Sequence, residues 1–253
     1  MLIHSYGITD PGCVRLENED RFVVAPDMGY FAVVDGMGGS RNGAMAAELT
    51  LSTIHYYLDC SRGQSEVTWP FGYNMQMSLN ANRLTTAIRL ANRQVWKRAD
   101  ERPDFGGMGS TVAAVLIDGE EAAIANIGDS RVYLYRHGRL TQLTTDDTWL
   151  NAVLAKGTLD AALRDRHPMR NVLTQAVGSQ NDVDAHASDL RLEPSDYLLL
   201  TTDGVHSVIG ETAIDGVFAC GGSAEELARR LLQEARNAGG PDNISCIVVA
   251  FSH

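Results

Sequence analysis

STVAAVLIDGEEAAIANIGDSRVYLYRHGRLTQL (110–143) holds four short apolar runs, at 110–118, 121–128, 131–136 and 139–143. Each is of strand length, and Asp118-Gly119 and His137-Gly138 punctuate them as tight turns do. The stretch predicts an antiparallel meander. Upstream of it, further strand-like runs fall near 3–9, 20–25 and 29–35, followed by a proline-free helix from Asn42 to about Asp59. Residues 60–77 mix glycines, Pro70 and aromatics and read as an ordered surface insertion. From Ser78 to Asp100, apolar residues at Leu84, Ala87, Ile88, Ala91 and Val95 recur with helical period until Pro103 stops them.

Downstream, residues 147–166 read as two short helical pieces around Lys156-Gly157, and strands are expected near 184–192 and 196–202. A helix from Ser223 to about Asn237 opens on a capping box, Ser223 with Glu226, and a last strand covers about 244–251. Strand blocks alternating with helices, without the regular spacing of βαβ units, predict an α+β fold of antiparallel sheets covered by helices. No linker, repeat or low-complexity segment interrupts the chain, so residues 1–253 are expected to form a single domain.

Composition narrows the possible functions. Hydrophobic residues make up 44% and charged residues 21%, as in ordinary globular proteins. The net charge is −11, and Lys97 and Lys156 are the only lysines. A nucleic-acid partner needs a basic face, so none is expected. The start, MLIHSYGITDPG, has no leader pattern, and no apolar run approaches the ~20 residues of a membrane span. A soluble, unprocessed, cytoplasmic protein without membrane insertion is expected, acting as a monomer. Cys13, Cys60, Cys220 and Cys246 form no C-x-x-C pair and read as small apolar core residues in a reducing compartment.

Several chemistries lack their residues. Neither lysine follows a glycine, so there is no Walker-type phosphate loop, and there is no G-x-S-x-G elbow. No cysteine has an arginine six residues on, and the histidines form no paired ligand motif. What remains is acidic. Asp35, Asp129, Asp203 and Asp242 each sit where an apolar run meets a turn: FAVVDGMGG (31–39), AIANIGDSR (123–131), YLLLTTDG (197–204) and GGPDNISCIVVAF (239–251). Glu19 and Asp20 join them in VRLENEDRF (14–22). Carboxylates that converge from strand ends repel unless a cation neutralises them, and oxygen ligands select hard divalent ions such as Mg²⁺ or Mn²⁺. Two such ions could share the Asp35 carboxylate, take the Gly36 carbonyl, and lower the pKa of a bridging water. Arg15 supplies the planar cation that a phosphate monoester requires. Taken singly, each of these residues has a plainer reading, as a turn or a solvated charge; their joint order carries the weight.

Taken together, TDPGCVRLENEDRF (9–22), VVDGMGG (33–39), GMGSTVAAV (107–115), NIGDSRVYLYRHGRLTQLT (126–144), HPMRNVLTQAVGS (167–179), LLLTTDGV (198–205) and GPDNISCIVV (240–249) resemble, in order, the motifs of the metal-dependent protein serine/threonine phosphatases. This is the type-2C or PPM family, in its compact bacterial form. The resemblance implies a sandwich of two antiparallel β-sheets flanked by helices on both sides, with a binuclear Mn²⁺ or Mg²⁺ centre at one end. Asp35 would bridge the ions, Gly36 would offer its carbonyl, and Asp203 and Asp242 would complete one shell. Glu19 and Asp20 would act through bound waters, Arg15 would hold the substrate phosphate, and Asp129 with Asp203 would take a third ion. Residues 145–171 correspond to the variable flap.

Two departures stand out: Met37 replaces a histidine that can protonate the leaving group in some members, and Asp147 stands where many bacterial relatives have histidine. The segment 68–95 is similar to one in phosphatases associated with type VI secretion. The expected activity is hydrolysis of phosphoserine or phosphothreonine by metal-activated water, opposing a bacterial serine/threonine kinase. The alternatives are a pseudophosphatase acting as a regulatory binding module, and a metal-dependent hydrolase of small phosphate esters.

Overall fold

A computed structural model of the chain describes residues 1–39, 42–64, 67–101, 103–155 and 167–252. In chain order the strands are β1 (Leu2–Asp10), β2 (Arg21–Ala25), β3 (Tyr30–Val34), β4 (Gly36–Met37), β5 (Gly109–Ser110) and β6 (Val112–Asp118). They continue with β7 (Glu121–Ile127), β8 (Arg131–Arg136), β9 (Arg139–Gln142), β10 (His186–Arg191), β11 (Tyr197–Thr201) and β12 (Ile244–Ser252). The helices are α1 (Asn42–Ser61), α2 (Leu79–Glu101), α3 (Trp149–Ala155), α4 (Asp203–Ala219) and α5 (Ala224–Asn237). Among the described residues the strands form two antiparallel five-stranded sheets, ordered β1-β12-β11-β8-β9 and β10-β7-β6-β3-β2, and a short β4-β5 ladder.

Strand β3 shows why the sheets stack. All five of its residues are fully buried, although a strand exposes its side chains alternately to two faces. Phe31 and Val33 enter the core between the sheets, with Ala113, Val115, Leu198, Leu200, Ile247 and Val249. Tyr30, Ala32 and Val34 point the other way, onto Ile54 of α1 and Leu84 and Ile88 of α2. Strand β12 repeats the pattern for the other sheet: Ile247 and Val249 face inward, while Cys246 and Val248 pack with Leu227 and Leu231 of α5. Strands covered on both faces read as continuous apolar runs. Helix pairs therefore cover the two outer faces of a sandwich, as expected.

The predicted meander is corrected. Strands β6 and β7 pair as a hairpin in one sheet, and β8 and β9 pair in the other. The chain crosses between the sheets at Gly128–Ser130, the turn that carries Asp129. Helix α4 is a second difference, since no helix was expected between the strand ending near 202 and Ser223. Three glycines dilute its propensity, and Gly210 breaks it with φ 75° and ψ 161°. Of the two helical pieces expected in 147–166, the first is α3; the second falls on 156–166, outside the described residues.

The capping box of α5 is present in both halves: Ser223 accepts from the Glu226 amide, and the Glu226 carboxylate accepts from the Ser223 amide. Cys246 is buried as anticipated, but Cys13, Cys60 and Cys220 are exposed and free, which corrects the reading of all four as core residues. Among the described residues no helix is long and apolar enough to cross a membrane.

Candidate active site

Both sheets deliver carboxylates to one end of the sandwich. Asp35 follows β3 and Asp129 follows β7 in one sheet; Asp203 follows β11 and Asp242 precedes β12 in the other. Glu19 and Asp20 immediately precede β2. Between these ends lies an open cleft of about 740 Å³, lined by Arg15, Glu19, Asp35, Gly36, Met37 and Asp242 among others.

Hydrogen bonds between loops fix the set. Asn243 is the main tie: its Oδ1 accepts from the Glu19 amide at 2.8 Å, and its Nδ2 donates to the carbonyls of Pro11 and Glu17 at 3.1 and 3.0 Å. Its own amide donates to Asp242 Oδ1 at 2.9 Å. The loop carrying Arg15 and Glu19 is thereby fastened to the start of β12. Thr202 Oγ1 donates to Asp20 Oδ2 at 2.9 Å, joining the second sheet to the head of α4. Thr111 brackets Asp35, accepting from its amide at 3.2 Å and donating its own amide to the Asp35 carbonyl at 2.9 Å.

Gly36 is needed for close approach. A Cβ there would stand 2.1 Å from the Gly43 carbonyl oxygen of α1. Reciprocally, a Cβ on Gly43 would lie 2.6 Å from the Gly36 carbonyl oxygen and 2.7 Å from Glu19 Cδ, so these two oxygen-bearing groups share one narrow space.

The electrostatics are those of crowded like charges. Burial first, then Asp20, Asp203, Asp129 and Asp242, hold the Asp35 carboxyl well above the usual carboxylate range. Asp20, 1% exposed, is pushed up to about 7 by burial and by Asp203 and Asp242, against the hydrogen bonds it receives. Burial and Asp203 push Asp129 up to about 7, and burial and Asp242 push Asp203 up to about 6. Arg15 offsets part of this: its Nη2 donates to Asp242 Oδ2 at 2.8 Å, a bond that raises the guanidinium pKa further.

The oxygens fit a hard cation. Glu19 Oε1, Asp20 Oδ1 and Asp203 Oδ1 are buried without a hydrogen-bond partner, although buried carboxylate oxygens are normally satisfied. Among the described residues no three such side chains are drawn into a tight cluster. Glu19 lines the cleft and Asp20 and Asp203 lie outside its lining, and all three carry unsatisfied oxygen valence of the kind divalent ions fill.

The fold has known counterparts. A family model described as protein phosphatase 2C matches residues 15–239, most of the chain. The chain belongs to the protein phosphatase 2C family. Serine/threonine phosphatase Stp of Listeria welshimeri is 30% identical over 254 residues, covering 98% of this chain and 95% of that relative. The catalytic domain of the phosphatase PstP, solved in complex with two manganese ions, superposes with a TM-score of 0.83 at 27% identity, over 99% of both chains. PppA of Pseudomonas aeruginosa, a regulatory component of the T6SS, superposes with a TM-score of 0.82 at 27% identity, over 99% of this chain and 98% of its own.

This phosphatase 2C chain therefore has the two-sheet α+β architecture of its family. Of the residues singled out in the sequence, Arg15, Glu19, Asp35, Gly36 and Asp242 line the cleft directly. Asp20, Asp203 and Asp129 are not part of its lining, but all three act electrostatically on Asp35, Asp129 from the crossing turn. Asn243, Thr202 and Thr111 were not singled out, although all three lie inside quoted motifs.

Proposed function

We propose that the chain, as one catalytic domain spanning 1–253, hydrolyses phosphoserine and phosphothreonine in proteins, using two Mn²⁺ or Mg²⁺ ions and a third, weaker ion. The observation that carries this reading is the convergence of unsatisfied carboxylate oxygens of Glu19, Asp20 and Asp203 with the high-pKa carboxyl of Asp35. The two manganese ions of the PstP catalytic domain support it. Asp35 would bridge the ions, with the Gly36 carbonyl, Asp203 and Asp242 beside it. Glu19 and Asp20 would hold bound waters, and Asp129 with Asp203 the third ion. Bound ions would supply Lewis-acid chemistry, activating water and offsetting phosphate charge.

The remaining work belongs to the chain's own groups. Arg15, whose Nη2 is held 2.8 Å from Asp242, lines the cleft with an exposed side chain and would offer its remaining N–H donors to the phosphate oxygens. Asn243 holds the Arg15 loop in register with Asp242. Met37 lines the cleft where a histidine could have protonated the leaving alkoxide oxygen. A thioether has no proton to give, so water must supply it.

The substrate would be a phosphoprotein made by a serine/threonine kinase, and the enzyme a cytoplasmic monomer. The segment 68–95 and the likeness to PppA support a substrate in a type VI secretion pathway. The test is release of phosphate from a phosphothreonine peptide and from a small aryl phosphate, with Mn²⁺, with chelator, and in Asp35→Asn. Metal-dependent turnover of the peptide is expected. Turnover of the aryl ester alone would indicate a small-ester hydrolase, and no turnover of either would leave only a binding module.

A further inference from the structure

Met37 has a second side. Besides lining the catalytic cleft, it walls a groove of about 380 Å³ that runs to Trp96 and Asp100 of α2. The groove floor is largely backbone, since Gly106, Gly107, Gly109 and Gly178 contribute no side chains. Trp96 and Asp100 are four residues apart on one helix and so project on the same face. Trp96, 36% exposed, is among the large apolar side chains left open at the surface.

The cations of this helix are engaged elsewhere. Arg93 lies over the Phe71 ring at 4.2 Å, Arg98 over Phe105 at 5.3 Å, and Lys97 pairs with Glu101 at 3.7 Å. Among the described residues Asp100 has no ion-pair partner. The groove therefore combines an aromatic face, the Met37 side chain, a glycine-rich floor and a carboxylate without an ion-pair partner among the described residues.

We propose that this groove selects substrates by binding an arginine close in sequence to the phosphorylated residue. This rests on the phosphatase reading above and specifies its substrate. The aliphatic stem of an arginine would cover Met37 and the glycine floor. Its planar head would stack on Trp96 and donate to Asp100, the geometry in which guanidinium outperforms ammonium. The two cavities share the Met37 wall, so an extended peptide with its phosphate at Arg15 carries neighbouring side chains past the groove. The net charge of −11 favours the approach of such a basic segment.

The test measures kcat/KM for phosphothreonine peptides in which arginine, leucine, glutamate or alanine is moved through the positions flanking the phosphothreonine. Wild type is compared with Trp96→Ala and Asp100→Asn, and a small aryl phosphate reports the basal chemistry. One flanking position should favour arginine over alanine by about tenfold, falling to about twofold or less in either variant. Aryl phosphate turnover should be unchanged in both. No arginine-preferring position, a preference for leucine over arginine, or a preference that survives in both variants would overturn the proposal. Absence of turnover on the aryl phosphate by wild type as well would remove the reading on which the groove's role rests, and the proposal with it.

Discussion

Asp35 and Asp129 both follow strands of the same sheet, yet their surroundings rank them differently. Burial raises both carboxyls most; beyond it four aspartates raise Asp35, whereas Asp129 faces chiefly Asp203 and Asp146 and is relieved by Arg131. If Asp35 holds the shared position, Asp35→Asn should lower Mn²⁺-dependent phosphate release by at least about a hundredfold, and Asp129→Asn by about tenfold or less. Initial rates at saturating peptide check this, and the reverse ranking would show the roles misassigned. These carboxylates were legible in the sequence because each ends or begins an apolar run. Asn243 was not. Its value comes from reaching Pro11, Glu17 and Glu19, more than two hundred residues away, and an Asp-Asn pair before a strand is equally an ordinary turn.

At the scale of elements, the crossing turn between β7 and β8 depends on a residue that stood out only as a departure. Asp147, 7% exposed, accepts the Gly128 amide at 2.9 Å, pairs with His186 Nε2 at 2.8 Å and accepts from Gln175 Nε2 at 3.2 Å. Its backbone amide donates to the Gly128 carbonyl at 2.9 Å as well. Asp147→Ala should therefore destabilise the fold by about 2 kcal/mol, since it strips a buried amide and two side chains of their acceptor. Urea unfolding measures it; a loss below ~0.5 kcal/mol would mean the turn is held by other contacts.

Gly210 offers a cleaner case. Its φ of 75° is one that L side chains avoid, while a Cβ there would meet nothing within 4 Å. Gly210→Ala should cost about 2 kcal/mol through backbone strain alone, with phosphatase activity kept. The same residue explains why α4 escaped prediction, for a helix broken by glycines has no continuous apolar stripe to read. The meander was misread for a related reason. Strand runs and turn dipeptides show which segments pair locally, but nothing in 110–143 states that Gly128 turns the chain into the opposite sheet.

For the molecule as a whole, the site is a cost carried by the fold. Asp20, Asp129 and Asp203 titrate near 7, 7 and 6, above the value of about 3.9 for an unfolded aspartate. Between those limits the folded state holds more protons than the unfolded state, so metal-free stability should fall as pH rises from about 4 to about 7. Asp20→Asn should flatten that decline. Added Mn²⁺ should reverse it, because metal competes with protons for the same oxygens and binds only the folded cluster. Thermal unfolding with chelator and with Mn²⁺ checks both, and a metal-free profile that rises over this window would contradict the assigned electrostatics.

The covering of antiparallel sheets by helices was legible in the alternation of strand blocks with helices, whereas the stacking of two sheets rested on the family resemblance. The pull of each sheet's carboxylates toward one end could be inferred only from the order of the motifs. That convergence is tested most directly by Mn²⁺ binding followed with electron paramagnetic resonance on the metal-stripped protein. Two ions should bind as an exchange-coupled pair, with the coupling lost in Asp35→Asn while single-ion binding persists. Isolated, uncoupled ions in the wild type, or a coupled pair that survives Asp35→Asn, would contradict it.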